Sequence, residues 1–149
     1  MNRTSYFTKA DADRKWYVVD AKGQVLGRLA TKVAKLLIGK HTPSFTYGQD
    51  TGAFVVVVNA QEVKVTGKKL SDKIYWTHSM YPGGLKAKPL GKKLSENAAE
   101  AFRFSVKGML PRNKLGARLI TKLKVYGGPT HPHQAQKPIV LEGDALAAL

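Results

Sequence analysis

The spacing of apolar and polar residues changes period several times along the chain, and each change marks an element. From Trp16 the run WYVVDA is short and β-branched and meets Lys22-Gly23, which predicts a strand closed by a turn. From Leu26 to Ile38 the period becomes helical. Leu26, Ala30, Val33, Ala34 and Leu37 make a packed face, and Arg28, Lys32 and Lys35 share the other side. Gly39 is placed to cap that helix, with Lys40 beside its carbonyl end. Strand followed by helix is the first half of a crossover unit. HTPSFTYGQDTG reads as a loop, and AFVVVVNA as the next strand. Its four successive valines do not alternate with polar residues, which suits a strand covered on both faces in a parallel sheet with helices outside. A buried helical turn is the alternative, disfavoured by β-branching and shortness. EVKVT does alternate, predicting a shallower or edge strand before the basic turn Gly67-Lys68-Lys69.

The second half is more broken. IYWTH suits a strand, and SMYPGGLKAKPLGKK reads as a long excursion punctuated by glycine and proline. A helix is predicted over 97–107, with Asn97 and Glu100 spaced as a capping box and Ser95 as a rival cap. Ala98, Ala101, Phe102 and Ser105 form its packing face, with Phe104 off it, and Gly108 breaks it. Asn113 is placed to cap a third helix through Lys122, packed by Leu115, Leu119 and Leu123, with Lys114, Arg118 and Lys122 turned outward on one face. Lys124-Val125-Tyr126 predicts a last short strand, after which Gly127-Gly128-Pro129 turns the chain away. The chain thus divides into a flexible arm (1–15), an α/β core (16–126) and an extended C-terminal segment with its tail (127–149). Residues 127–138 have too little apolar content to pack as an element, so they should lie along something and be poorly ordered in its absence.

Charge changes this picture. The 149 residues carry 25 Lys and Arg against 10 Asp and Glu, a net +15. That is far more than solubility needs, and the repulsion opposes a compact state unless a polyanion relieves it. The apolar fraction of 43% is that of an ordinary folded protein. Residues 64–124 hold 15 bases and three acids, so the excess is localised. Three basic elements could converge: the Arg28/Lys32/Lys35 helix face, the loop with Lys86, Lys88, Lys92 and Lys93, and the region from Arg103 to Lys124. In the loop the bases interleave with Tyr75, Trp76 and Tyr81, which suits contact with a sugar-phosphate surface and equally suits anchoring the loop to its own domain. Such a platform fits folded RNA, whose phosphates are presented in three dimensions and read largely by shape.

Other chemistries find little support. Cysteine is absent, so there is no disulfide framework and no thiolate zinc site. His131-Pro132-His133 lacks the partners to complete a metal shell and reads as a stiff segment with two flat rings for stacking or hydrogen bonding. No spacing demands a catalytic pair among His41, His78, Asp20 and Asp50, and VLGRLA lacks a phosphate-loop pattern. No apolar run has the length of a membrane span. A small RNA- or nucleotide-processing enzyme and a DNA-binding regulator are the rival readings.

Five stretches carry a family likeness: WYVVDAKGQVLGRLA, VVVNAQEVKVTGKK, THSMYPGGLK, VKGMLPRNKLG and KLKVYGGPTHPHQAQKP. In that order they resemble the successive signatures of the bacterial-type L-thirteen family of large-subunit ribosomal proteins, over about Trp16 to Pro138. The resemblance implies a single α/β domain with a mixed, largely parallel sheet flanked by helices. It also implies binding of large-subunit ribosomal RNA, help in subunit assembly, neighbouring ribosomal proteins as partners, no enzyme activity and no cofactor. The location implied is cytoplasmic, in the ribosome, with an organellar ribosome as the alternative. Arg28, Lys68, Lys69, His78, Tyr81, Lys86, Lys107, Arg112, Lys114, Lys124, His131, His133 and Gln136 fall on characteristic positions. With Lys32, Lys35, Lys88, Lys92, Lys93, Arg118 and Lys122, chosen for charge, they are the expected RNA-contacting residues. Met109, Leu110 and Leu115 are assigned to packing.

Overall fold

The computed structural model describes residues 6–8 and 10–141. The rest of the expected arm, and the tail from residue 142, lie outside the described residues. Strand β1 (Trp16–Asp20) leads into helix α1 (Leu26–Ile38), which returns the chain to strand β2 (Phe54–Val58) beside β1 and parallel to it, Val18 opposite Val56. The expected α1 boundaries and packed face hold, with Leu29 and Leu36 also buried. Gly39 caps the helix at φ 89, and a side chain there would strike Thr51 and Gly52. Strand β5 (Leu123–Val125) joins the far side of β2 and β6 (Ile139–Leu141) the far side of β1, giving the parallel order β5-β2-β1-β6.

The valine run is buried on both faces, as its lack of alternation predicts, but the two covers differ. Val19, Val55 and Val57 face the main core with Leu29, Val33 and Leu37 of α1 and with Phe102 and Val106 of α3 (Leu90–Lys107). Val18, Val56 and Val58 form a second cluster covered by Trp16 and Tyr126, rings rather than a helix. Trp16 stacks on Phe54 at 4.5 Å.

Three expectations are corrected. Residues 62–66 form no strand. A 3-10 turn (Ala60–Glu62) leads to one bridge, Val25 to Lys64, and Val63 and Val65 pack at the core margin. Alternation alone could not show that the neighbouring strand position was missing. After the four-residue helix α2 (Lys69–Asp72), the excursion is an antiparallel hairpin, β3 (Ile74–His78) with β4 (Leu85–Pro89). LKAKP alternates apolar and polar residues but is almost wholly exposed and built from poor strand formers, and its only turn signal is Pro82-Gly83-Gly84, so it reads as loop from sequence. Finally, α3 begins at Leu90. It breaks at Asn97 (φ −154, ψ 89), whose Oδ1 accepts the Glu100 N–H at 3.0 Å. The predicted cap is therefore real, but it caps the second half of a kinked helix. Glu100 pairs with Lys93 in place of closing the capping box.

Candidate nucleic-acid interface

A strongly cationic surface is built on the turn between α3 and α4 (Lys114–Leu119). As α3 ends, Gly108 N–H reaches Phe104 O and Met109 N–H reaches Val106 O. Leu110 is buried and fixes the turn to the core. Asn113 Oδ1 accepts the Gly116 N–H at 2.9 Å and starts α4, as expected. A side chain at position 116 would run into Pro111 O, so only glycine lets the turn close on the helix. Leu119 and Ile120 hold the other end. With Leu110, Leu119 and Ile120 turned inward, Lys107, Arg112, Lys114 and Arg118 all face solvent. Among the described residues none of these four has a carboxylate partner. From 101 to 141 the chain has no Asp or Glu at all.

Helix α1 meets this turn at Thr31, whose Oγ1 donates to Gly27 O at 3.0 Å and lies in contact with Met109 Sδ at 3.4 Å. Arg28, Thr31 and Lys35 follow one another along the exposed side of α1, so two of the three basic elements adjoin. Lys32 is only half exposed. Met109, assigned to packing, is 42% exposed at this junction.

The hairpin is a separate projection. Tyr75 is its buried root, edge-on to Phe104 at 5.0 Å. Towards the tip, Trp76, His78, Tyr81 and Lys86 are exposed, and His78 Nδ1 accepts the Met80 N–H at 2.9 Å. The two readings of the interleaved rings each apply to part of the set, with Tyr75 anchoring and Trp76 and Tyr81 facing solvent. Lys88 pairs with Glu96 at 2.8 Å, a contact that raises the lysine pKa and lowers the carboxyl pKa. Lys92, Lys68 and Lys69 are exposed.

Two of the expected contact residues point inward. Lys93 is only 9% exposed, its ammonium 4.6 Å from the Phe104 ring and 5.1 Å from Tyr75, with Glu100 at 3.4 Å. It clamps the hairpin root to α3. Lys122 does not share the outward face of Lys114 and Arg118. Helix α4 ends at Leu119, and the 3-10 turn Ile120–Lys122 swings the side chain inward to Asp50 and to Gly52 O at 3.0 Å, over the Phe54 ring. A carboxylate 72 residues away in sequence left no local signal of that pairing.

The last group lies on the strap of residues 127–138. Asn59 N–H bonds to Gly128 O and Gln61 N–H to Gly127 O, and β6 fixes the far end to β1. The segment expected to leave the core thus runs from one edge of the sheet to the other. His133 Nε2 meets Tyr126 OH at 2.8 Å, and its ring lies 5.2 Å from Trp16 and 6.3 Å from His131. Burial first, then His131 and Lys124, hold the His133 pKa below its ordinary 6.5. This ring attaches the strap to the sheet; it is not a free stacking surface. Lys124 and Gln136 are exposed, and Lys124 lines a groove with Arg103, a base the sequence reading left out of its contact set. Lys64 and Lys73, also exposed and also missed, flank Lys69. The expected single cationic side is therefore a main patch with outlying groups. Among the described residues no three metal-ligating side chains cluster, and no helix is long and apolar enough to cross a membrane.

The family model described as "Ribosomal protein L13" matches residues 14–132, covering β1, β2 and β5 of the sheet, the hairpin, the basic turn and the start of the strap. The chain belongs to this family. Relatives of the L13 family share its length as well as its sequence. The "Large ribosomal subunit protein uL13" of Brevibacillus brevis is 57% identical over 139 residues, 93% of this chain and 96% of the relative. The protein of the same name from Carboxydothermus hydrogenoformans is 56% identical over 137 residues, 91% and 96% of the two chains. That of Aquifex aeolicus is 55% identical over 132 residues. The L13 match includes both the exposed bases of the turn and the buried Lys93 and Lys122, so family position alone does not separate contact from support.

Proposed function

We propose that this protein is a structural constituent of the large ribosomal subunit that binds ribosomal RNA and helps the subunit assemble. The observation that carries the reading is the run of exposed bases Lys107, Arg112, Lys114 and Arg118, on a rigid turn with no acid between residues 101 and 141. Held in place by Leu110 and Leu119, these cations meet phosphates without a large ordering cost, and closely packed phosphates relieve their mutual repulsion. Arg28 and Lys35 extend the patch along α1, while the hairpin, with Trp76, His78, Tyr81 and Lys86, reaches a second RNA segment. Lys68, Lys69, Lys92 and Lys124 add outlying phosphate contacts, and His131 and Gln136 contribute from the strap. The protein works by binding and holding, not by a chemical step. Its site of action is the ribosome in the cytoplasm, with neighbouring ribosomal proteins as further partners. Comparing a structured large-subunit RNA with duplex DNA at matched salt tests the reading. RNA should bind more tightly, with affinity falling steeply as salt rises; equal affinity for the two would overturn it.

A further inference from the structure

A cleft of about 440 Å³ opens between the start of α1 and the segment 64–73. Its floor is apolar, made by Leu26, Val65, Leu90 and Met109, and its rim carries Lys64, Lys69 and Lys73 against one carboxylate, Asp72. All three lysines are exposed, and none belongs to a described ion pair. Lys69 Nζ lies 3.5 Å from Thr66 Oγ1, and Lys73 Nζ lies 5.4 Å from the Tyr75 ring. The walls are fixed by backbone bonds: Leu26 N–H to Lys64 O at 2.9 Å, Lys64 N–H to Gln24 O at 2.9 Å, and Leu90 N–H to Lys73 O at 2.8 Å. The cleft is thus preformed, and its volume falls in the roughly 300–1,000 Å³ range of small-ligand sites.

An occupant must combine a compact apolar body with a negative charge on one side. Duplex nucleic acid keeps its bases stacked and offers only the charge. Folded RNA offers both, because loops and bulges splay single bases away from the helix. We infer that this cleft holds one unstacked ribonucleotide of the bound RNA, its base against Val65 and Met109 and its phosphates at the three lysines. The inference rests on the RNA-binding reading above and adds a base pocket beside the phosphate contacts of the basic turn. Asp72, at the rim, supplies an acceptor for a ribose hydroxyl, a group DNA lacks.

Gly27 gives a direct test. It lines the cleft, and a Cβ added there meets nothing within 4 Å. Gly27→Phe fills the space from a helical position while leaving every charge in place. NMR amide shifts of the full chain are recorded with adenosine 5′-monophosphate and with ribose 5-phosphate, alongside affinity for a structured large-subunit RNA. In the wild type, amides of residues 25–27, 65, 66 and 109 should shift with the nucleotide and at least fivefold less with the sugar phosphate. Gly27→Phe should abolish those shifts and weaken RNA binding about tenfold, the scale of one stacked base, with its salt slope unchanged. As a second variant, Lys64→Ala with Lys69→Ala removes only exposed groups and should weaken nucleotide binding at least fivefold. Equal response to the two small ligands, or RNA affinity of Gly27→Phe within twofold of wild type, overturns the inference and leaves RNA binding standing. Absence of RNA binding by the wild type overturns both.

Discussion

Residues 107–118 and the turn 120–122 adjoin in sequence and both carry bases, yet they use their charges in opposite ways. In the first stretch Leu110 and Asn113 lock the backbone, and Lys107, Arg112, Lys114 and Arg118 all face water. In the second, one turn of 3-10 helix sends Lys122 inward to Asp50, where it ties the 41–52 loop to the end of α4. Burying two ions is costly, and their attraction offsets this only when both partners are present. The lysines here are thus two populations, one that faces solvent and one that holds the surface in shape.

The largest effect that could break this comparison is on stability. Lys122→Ala strands a nearly buried Asp50 and should cost about 3–5 kcal/mol in urea unfolding. Adding Asp50→Leu to Lys122→Met should recover most of that loss, because the pair would be replaced by apolar contact. A flattened RNA salt slope in a folded Lys122 variant would instead place Lys122 among the phosphate contacts. The exposed trio predicts the reverse. Neutralising Arg112, Lys114 and Arg118 together should leave unfolding nearly unchanged and flatten the log affinity–log salt slope by about two units. An unchanged slope would remove these residues from the interface. Next in size, Asn97→Ala removes the cap at the α3 kink and should cost about 1 kcal/mol; a thermal midpoint equal to wild type would show that the kink is held by packing alone.

The smallest effect is a pH dependence at the strap. His133 faces His131 along its own segment, Tyr126 and Lys124 from β5 and its end, and Trp16 from β1. Its pKa is lower in the folded protein than the ordinary 6.5, so the unfolded chain binds the proton more readily. The contribution of this contact is complete above pH 6.5 and declines as pH falls below that value. Hydrogen exchange at Ile139–Leu141 should therefore quicken, relative to the core amides of β2, between pH 7.5 and 5.5. His133→Gln should remove that differential.

What could be read in the sequence was local. The period of Leu26–Ile38 and the chemistry of Gly39 set α1 because helix and cap depend on residues within a few positions. The Val55–Val58 run announced burial on both faces for the same reason, though nothing local distinguished a helix from Trp16, Tyr126 and a strap as the cover. Asn113 was recognisable as a cap, and Asn97 was too, but not that α3 continues on its N-terminal side. Failures came where partners are distant. Lys93 and Lys122 looked like their exposed neighbours because Tyr75, Phe104 and Asp50 are brought to them only by folding. The strand 85–89 does alternate, but with no buried face and with lysine, alanine and proline in place of β-branched residues the alternation carries little signal.

The pairing of β6 with β1 sets an order on biosynthesis. Tyr17–Val19 are made early, yet their outer edge has to wait for Ile139–Leu141, more than a hundred residues later. Until then the nascent chain carries a strand with an unsatisfied ladder, open to partners of the wrong kind. Protection of that edge must come last, so a chain released before Leu141 would be a hazard even with the rest of its sheet complete.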